Sequence, residues 1–253
     1  MSEQGVRVAL EPPFWGPQIW EPPMEEVHAH LERMSLLVGR WGFKQGNLSE
    51  GEYRRILEGE AQGHYKRIRA ENLERKLFVP RAAVAWLKAK PEGDRLWVFP
   101  HEGGEPVGLD FPRQQIRERL CIPDFFVEGG DAAGFLTVTV GNEGAARWME
   151  ELQDEGRYQE YFFWNGYAAE YADAVAEWTH RKMLEFLGGK QGARFGPGYP
   201  SCPDTTLSRW IWRWTRAERI GVELTDSNML VPEMSTCALV AAQPWARVFN
   251  VMA

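Results

Sequence analysis

Apolar positions along the chain change their period several times, and each change marks an element. From Met24 onward Val27, Leu31, Met34 and Leu37 recur at helical spacing through to Trp41, which predicts a helix. Asn47-Leu48-Ser49-Glu50 opens a second, with Ser49 as N-cap and acidic residues in the first turn, running through Tyr53, Ile56, Leu57, Tyr65, Ile68 and Leu73. After Pro80 the pattern becomes that of strands. Ala82–Ala89 and Arg95–Phe99 read as a hairpin closed by Lys90-Pro91-Glu92-Gly93-Asp94, and Pro106–Phe111 reads as a third strand after Gly103-Gly104. A short helix is expected from Pro112 to Leu120, and the β-branched alternation of Gly134–Val140 fits a sheet interior. Residues 143–188 form a long helical region, broken near Gly156 or Gly166 and stopped by Gly188-Gly189. A helix from about Thr206 to Arg219 follows, then Leu224–Ser227 and two apolar runs, Thr236–Ala242 and Ala246–Met252, either side of Pro244. Helices first, strands in the middle, then a long helix and strands again predict an α+β fold: a central antiparallel or mixed twisted sheet flanked by helices, with an N-terminal helical region.

Residues 1–23 carry Glu11-Pro12-Pro13-Phe14-Trp15-Gly16-Pro17 and Glu21-Pro22-Pro23, which exclude regular helix and predict an extended N-terminal arm over a single domain spanning 24–253. With 253 residues and 44% hydrophobic content the chain can bury a large core. No stretch reads as a membrane span or an export signal, so a soluble, cytoplasmic protein is expected. Cys121, Cys202 and Cys237 are odd in number and lack C-x-x-C spacing, which supports neither a disulfide framework nor a thiolate zinc site. A net charge of −7 with no long Lys/Arg cluster argues against nucleic acid. The alternating Trp210, Trp212 and Trp214 are read as aromatic core rather than a stacking platform.

The chemistry gathers in Arg194-Phe195-Gly196-Pro197-Gly198-Tyr199-Pro200-Ser201-Cys202-Pro203. Three prolines remove donors and two glycines admit tight turns, so a stiff loop is expected, neither helix nor strand interior, with Arg194, Tyr199 and Cys202 at its rim. Composition alone leaves open whether this is a connector or a ligand loop. The string resembles the R-x-x-P-G-Y-P-x-C-P signature of the S-adenosylmethionine (SAM) binding activation domain of cobalamin-dependent methionine synthase. Shorter strings in the same order extend the likeness from about Pro12 to Val251: Pro80-Arg81, Gly93-Asp94, Arg113-Gln114-Gln115, Cys121-x-x-Asp124-Phe125, Ala176-Glu177-x-x-His180 and Leu224-Thr225-Asp226-Ser227.

The resemblance implies that Arg194 meets the SAM carboxylate and that Asp94 meets its amine, although a Gly-Asp turn alone would also explain Asp94. It places Asp173 where the family has a glutamate on the long helix, and a solvated helix carboxylate is the other reading of that residue. Phe195, Gly196, Pro197, Gly198, Tyr199 and Cys202 would line the SAM loop, with Tyr199 facing cobalamin. Val248 and Phe249 stand where the family has a tyrosine pair, so their backbone would serve while two hydroxyls are lost. The implied function is reductive methylation of cob(II)alamin to methylcobalamin, with an electron donor such as flavodoxin and no general base. No D-x-H-x-x-G string of a cobalamin-binding domain occurs. That partner would therefore be supplied by a longer chain or in trans. Two further readings stay open: a SAM or nucleoside-binding module without catalysis, and a di-metal carboxylate protein built on Glu25-x-x-His28 and Glu177-x-x-His180.

Overall fold

The computed structural model describes residues 8–116, 118–189 and 191–252. Its centre is a seven-stranded sheet in which every pairing is antiparallel, so of the two sheet types expected the wholly antiparallel one forms. The strands are β1 (Gly16–Trp20), β2 (Arg81–Glu92), β3 (Arg95–Phe99), β4 (Val107–Asp110), β5 (Asp131–Thr139), β6 (Ala193–Phe195) and β9 (Ser235–Ala241), with β7 (Glu223–Leu224) and β8 (Leu230–Val231) as a separate ribbon. Their order is β4-β3-β2-β5-β9-β6. The long β2 is shared along one side by β1, on Ala82–Trp86, and by β3, on Lys88–Glu92. The arm predicted before Met24 thus contributes a strand of its own. Its first seven residues lie outside the described ones, and Leu10 N donates to Asp131 Oδ1 at 2.9 Å.

Successive side chains of a strand point to opposite faces, and here both faces are covered. Ala82, Val84, Trp86, Leu136, Val138 and Val240 pack under the helices α1 (Met24–His28), α3 (Gln62–Arg75), α4 (Glu143–Asp154) and α5 (Tyr158–Phe186). Ala85, Leu87, Phe135, Leu239 and Phe195 pack under α6 (Leu207–Thr215) and the 3₁₀ turn Ile122–Phe125. All nine residues of β5 are buried for this reason. The Gly93-Asp94 hairpin, the break at Gly156 and the separate strands match the sequence reading.

Ser49 caps α2 (Glu50–Ile56) as predicted, and does so reciprocally: its hydroxyl accepts from Glu52 N, and the Glu52 carboxylate accepts from Ser49 N at 3.0 Å. Ser49→Ala should lower stability by about 1 kcal/mol in urea unfolding, the usual cost of a lost N-cap. No loss would mean that the Leu57–Ala61 π-turn, which joins α2 to α3, already absorbs fraying there.

Four expectations need correction. The helix over Met24–Trp41 ends at His28 and resumes as a π-helical turn, Ser35–Arg40, because Arg40 and Trp41 are both drawn to α5; Met34 is left exposed. Pro112–Leu120 forms no helix among its described residues, since Arg113 Nη1 reaches across to Arg119 O and Gln114 N to Leu120 O. The helix expected from Thr206 to Arg219 breaks at Arg216, which adopts φ +57°, and Ala217–Ile220 is a 3₁₀ turn. Residues 246–252 form turns and loop, although Ala246 and Val251 are buried. On α6, Trp210 and Trp214 stack with ring centres 5.6 Å apart while Trp212 donates to Val222 O, so the alternating tryptophans do serve opposite sides. No helix among the described residues is long and apolar enough to cross a membrane.

Candidate functional site

The proline loop begins inside the sheet. Arg194 and Phe195 belong to β6, the last strand of the order, so the expectation of a loop throughout fails for its first two residues. The pairing of Arg194 with Val240 and of Phe195 with Leu239 explains it: β9 offers a free side, and the prolines start only afterwards. Strand alternation then separates two neighbours. Phe195 is fully buried in the α6 core, whereas Arg194 turns to α5.

Beyond Phe195 the chain closes on itself. Tyr199 N donates to Gly196 O (3.2 Å), Gly198 N to Cys202 O (2.8 Å) and Cys202 N to Tyr199 O (2.8 Å), and Val251 N ties the C-terminal segment to Pro200 O (3.1 Å). These amides are therefore used within the protein rather than offered to a neighbour. A Cβ on Gly196 would come 2.9 Å from Tyr199 Cδ2, and Gly198 sits at φ +86°, so both glycines are required for the Tyr199 ring to fold back over the turn. The ring stays 58% exposed on a rigid support. Cys202, expected at the rim, is instead buried. Its thiol is pushed up to about 12 by that burial, and Cys121 and Cys237 are raised likewise, so none of the three is an available nucleophile.

Arg194 enters a line of charges on α5. Its Nη1 donates to Glu177 Oε2 at 2.6 Å, and Glu177 Oε1 accepts from Arg181 Nε at 2.6 Å. Arg40, carried in by the Ser35–Arg40 turn, bonds Glu170 through Nε and Asp173 through Nη2, both at 2.7 Å. Burial holds the Asp173 carboxyl above the ordinary aspartate range, against the pull of Arg40 and Arg194. Burial acts the same way on Glu177, but Arg181 and Arg194 outweigh it and the group lies below its usual value. Asp173 is thus ion-paired to Arg40, with its side chain still 41% exposed. Glu170, Asp173 and Glu177 face Arg40, Arg194 and Arg181, leaving the group balanced in charge.

Asp94 lies in a second group. Arg113 Nε donates to Asp94 Oδ1 at 2.7 Å while its Nη1 and Nη2 clamp Asp124 at 2.7 and 2.9 Å. The next residue, Phe125, lies parallel to Phe195 with ring centres 5.8 Å apart, and Phe249 packs against both. Arg113 therefore ties the hairpin tip to an aromatic cluster, whereas Arg194 is bonded to Glu177 and also acts on the charge of Asp173. Val248 is 67% exposed next to that cluster. Pro197 completes the turn between Gly196 and Gly198. Sequence reasoning did not place Arg40, Glu177 or Arg113 among the candidate SAM-site residues, and named Glu177 only for the di-metal reading. Glu177 and Arg113 lay in the short family-like strings, but Arg40 carried no signal because its partners are more than 120 residues away.

The metal alternative does not form. No group of three or more His, Cys, Asp or Glu residues able to hold a metal ion occurs among the described residues. His28 bonds Met24 O and the Tyr167 hydroxyl, and Glu25 pairs with Arg69. Glu177 pairs with Arg194 and Arg181.

Comparison with known proteins agrees with this architecture. A solved structure described as the MetH reactivation domain bound to AdoHcy superposes with a TM-score of 0.83 over 99% of this chain and 86% of its own, at 22% identity, which establishes the fold. The methionine synthase of Mycobacterium tuberculosis is 31% identical over 276 aligned positions, and that of Mycobacterium leprae 28%. Each alignment takes in 95% of this chain but 23% of the relative, so the chain spans about a quarter of their length. Residues 47–253 match the family described as vitamin B12 dependent methionine synthase, activation domain, and the chain belongs to that family.

Proposed function

We propose that the chain binds SAM across the edge strand β6 and supports reductive methylation of cob(II)alamin to methylcobalamin on a cobalamin-binding domain, in the same longer polypeptide or in trans. The observation that carries this is the divergence of two adjacent residues. Arg194 faces a charged group, while Phe195, buried on the other face, backs onto Phe125 and the partly buried Phe249, so a ligand draped over the edge meets ions at one end and the Phe249 ring at the other. SAM has that form. Arg194, its side chain 30% exposed, would take the carboxylate, and Asp173, 41% exposed, stands beside it for the ammonium. Asp94, which shares Arg113 with Asp124, would instead serve the nucleoside end. The loop backbone from Gly196 to Cys202 and that of Val248-Phe249 would frame the adenosine.

Cobalamin, when bound on its partner domain, supplies the nucleophilic metal that accepts the methyl group. This chain's part is placement: the stiff turn presents the exposed Tyr199 ring toward the incoming corrin and helps exclude water, with no proton moved by a side chain. The loop's own thiol, Cys202, is buried with its pKa raised, which suits that task. An electron donor of the flavodoxin kind and a cytoplasmic setting complete the reading.

Titrating SAM calorimetrically should give one equivalent bound, and Arg194→Ala should weaken binding by about tenfold, on the order of 1.4 kcal/mol, since a charge-assisted contact is lost. An unchanged titration removes Arg194 from the site. Methyl transfer to reduced cobalamin on its partner domain separates this function from that of a module that only binds the nucleoside.

A further inference from the structure

Arg194 is already held by a carboxylate. Both oxygens of Glu177 are engaged, Oε2 by Arg194 and Oε1 by Arg181, each at 2.6 Å. A ligand carboxylate must therefore compete with Glu177 for the same guanidinium. The exposure of the pair makes that competition meaningful: the two side chains are 30% and 31% exposed, between a surface pair that would resist nothing and a buried pair that would not open.

Charge decides what can open it. Asp173 stands near Arg194, and burial already works against its charged form. Adding a lone carboxylate to Arg194 would crowd a third anion against Glu177 and Asp173 with no new cation. A zwitterion brings an ammonium for the carboxylate it displaces, and the balance is kept. We infer that Glu177 is a specificity residue of this site, an internal carboxylate on Arg194 that admits ligands with an α-amino-acid zwitterion and turns away simple anions. The inference rests on the reading of Arg194 given under Proposed function.

Three adenosyl thioethers separate the possibilities by calorimetry: S-adenosylhomocysteine, its deaminated analogue that keeps the carboxylate, and 5′-methylthioadenosine, which has neither group. On the unmodified protein the deaminated analogue should bind no tighter than methylthioadenosine, within about twofold, while S-adenosylhomocysteine binds best. In Glu177→Gln, which keeps size but has one acceptor oxygen where Glu177 uses two, the deaminated analogue should gain about fivefold over methylthioadenosine because Arg194 is no longer neutralised. Glu177→Ala should show the same gain. The ratio of two ligands on one protein is insensitive to partial unfolding, so a merely structural role of Glu177 would leave it unmoved. An unmoved ratio, or a deaminated analogue already tenfold tighter on the unmodified protein, overturns the inference. If Arg194→Ala binds S-adenosylhomocysteine as well as the unmodified protein does, the underlying site reading fails first, and this inference with it.

Discussion

Gly166→Val should destabilise the fold by about 3 kcal/mol, far more than the same change at Gly63. A Cβ at Gly166, in the middle of α5, would lie 2.8 Å from both Cδ1 and Nε1 of Trp41 and 3.4 Å from Arg40 Cβ. The indole has little room to retreat. It is 5% exposed, packs on Phe163 with ring centres 5.0 Å apart, and donates from Nε1 to Phe163 O at 2.9 Å. Displacing Trp41 also pulls on Arg40, whose guanidinium neutralises Glu170, a carboxylate with a side chain 6% exposed. Overpacking contributes about 1–3 kcal/mol and a strained buried hydrogen bond about 1 kcal/mol more. At Gly63, on α3, an added Cβ meets nothing within 4 Å, and there valine should change stability by less than about 0.5 kcal/mol. Urea unfolding of the two variants measures the difference. Equal effects would show that the close approach of Trp41 to α5 contributes little.

That contact also explains where the sequence was readable and where it was not. The hairpin at Gly93-Asp94, the Ser49 cap and the strands on either side of them are set by neighbours in the chain, and each is visible as a short pattern. The helix expected from Met24 to Trp41 is broken by a partner more than 100 residues away, which no local period records. The candidate site divides the same way. The Arg194–Cys202 loop was legible from its prolines and glycines, and so was the value of Tyr199 as an exposed ring. That Arg194 and Phe195 point to opposite faces follows from their lying on β6, and the prolines just after them hid that strand. Burial of Cys202 and the pairing of Asp94 with Arg113 arise from loops folding back onto the sheet. Sequence resemblance named Asp94, Asp173 and Arg194 together; in the fold Asp94 pairs with Arg113, Asp173 with Arg40 and Arg194 with Glu177.

His180 should make the fold acid-sensitive in a defined window. It is 8% exposed on α5, its Nε2 has no protein partner among the described residues, and Arg194, Arg181 and Glu177 are the charges that act on it. Burial foremost, then Arg194, pushes its pKa down from 6.5 to about 4, with Glu177 opposing. Well above pH 6.5 the imidazole is neutral whether the chain is folded or not, and it contributes no pH dependence. As pH falls from 6.5 toward 4 the unfolded chain takes up a proton that the folded chain refuses, so stability declines, by about 3 kcal/mol across the window; below it both states are protonated and the decline from this group stops. His28, also lowered chiefly by burial, adds in the same direction. Carboxylates such as Glu177 also lose their pairing on acidification, so the residue must be isolated by difference. Urea unfolding of the unmodified protein and of His180→Gln at pH 7.5, 6, 5 and 4.5 does this. The variant should show a markedly shallower loss between pH 6.5 and 4.5, whatever its stability at pH 7.5. Parallel curves would mean that His180 titrates freely in the folded protein, and that the charges around Arg194 are more hydrated than their packing indicates.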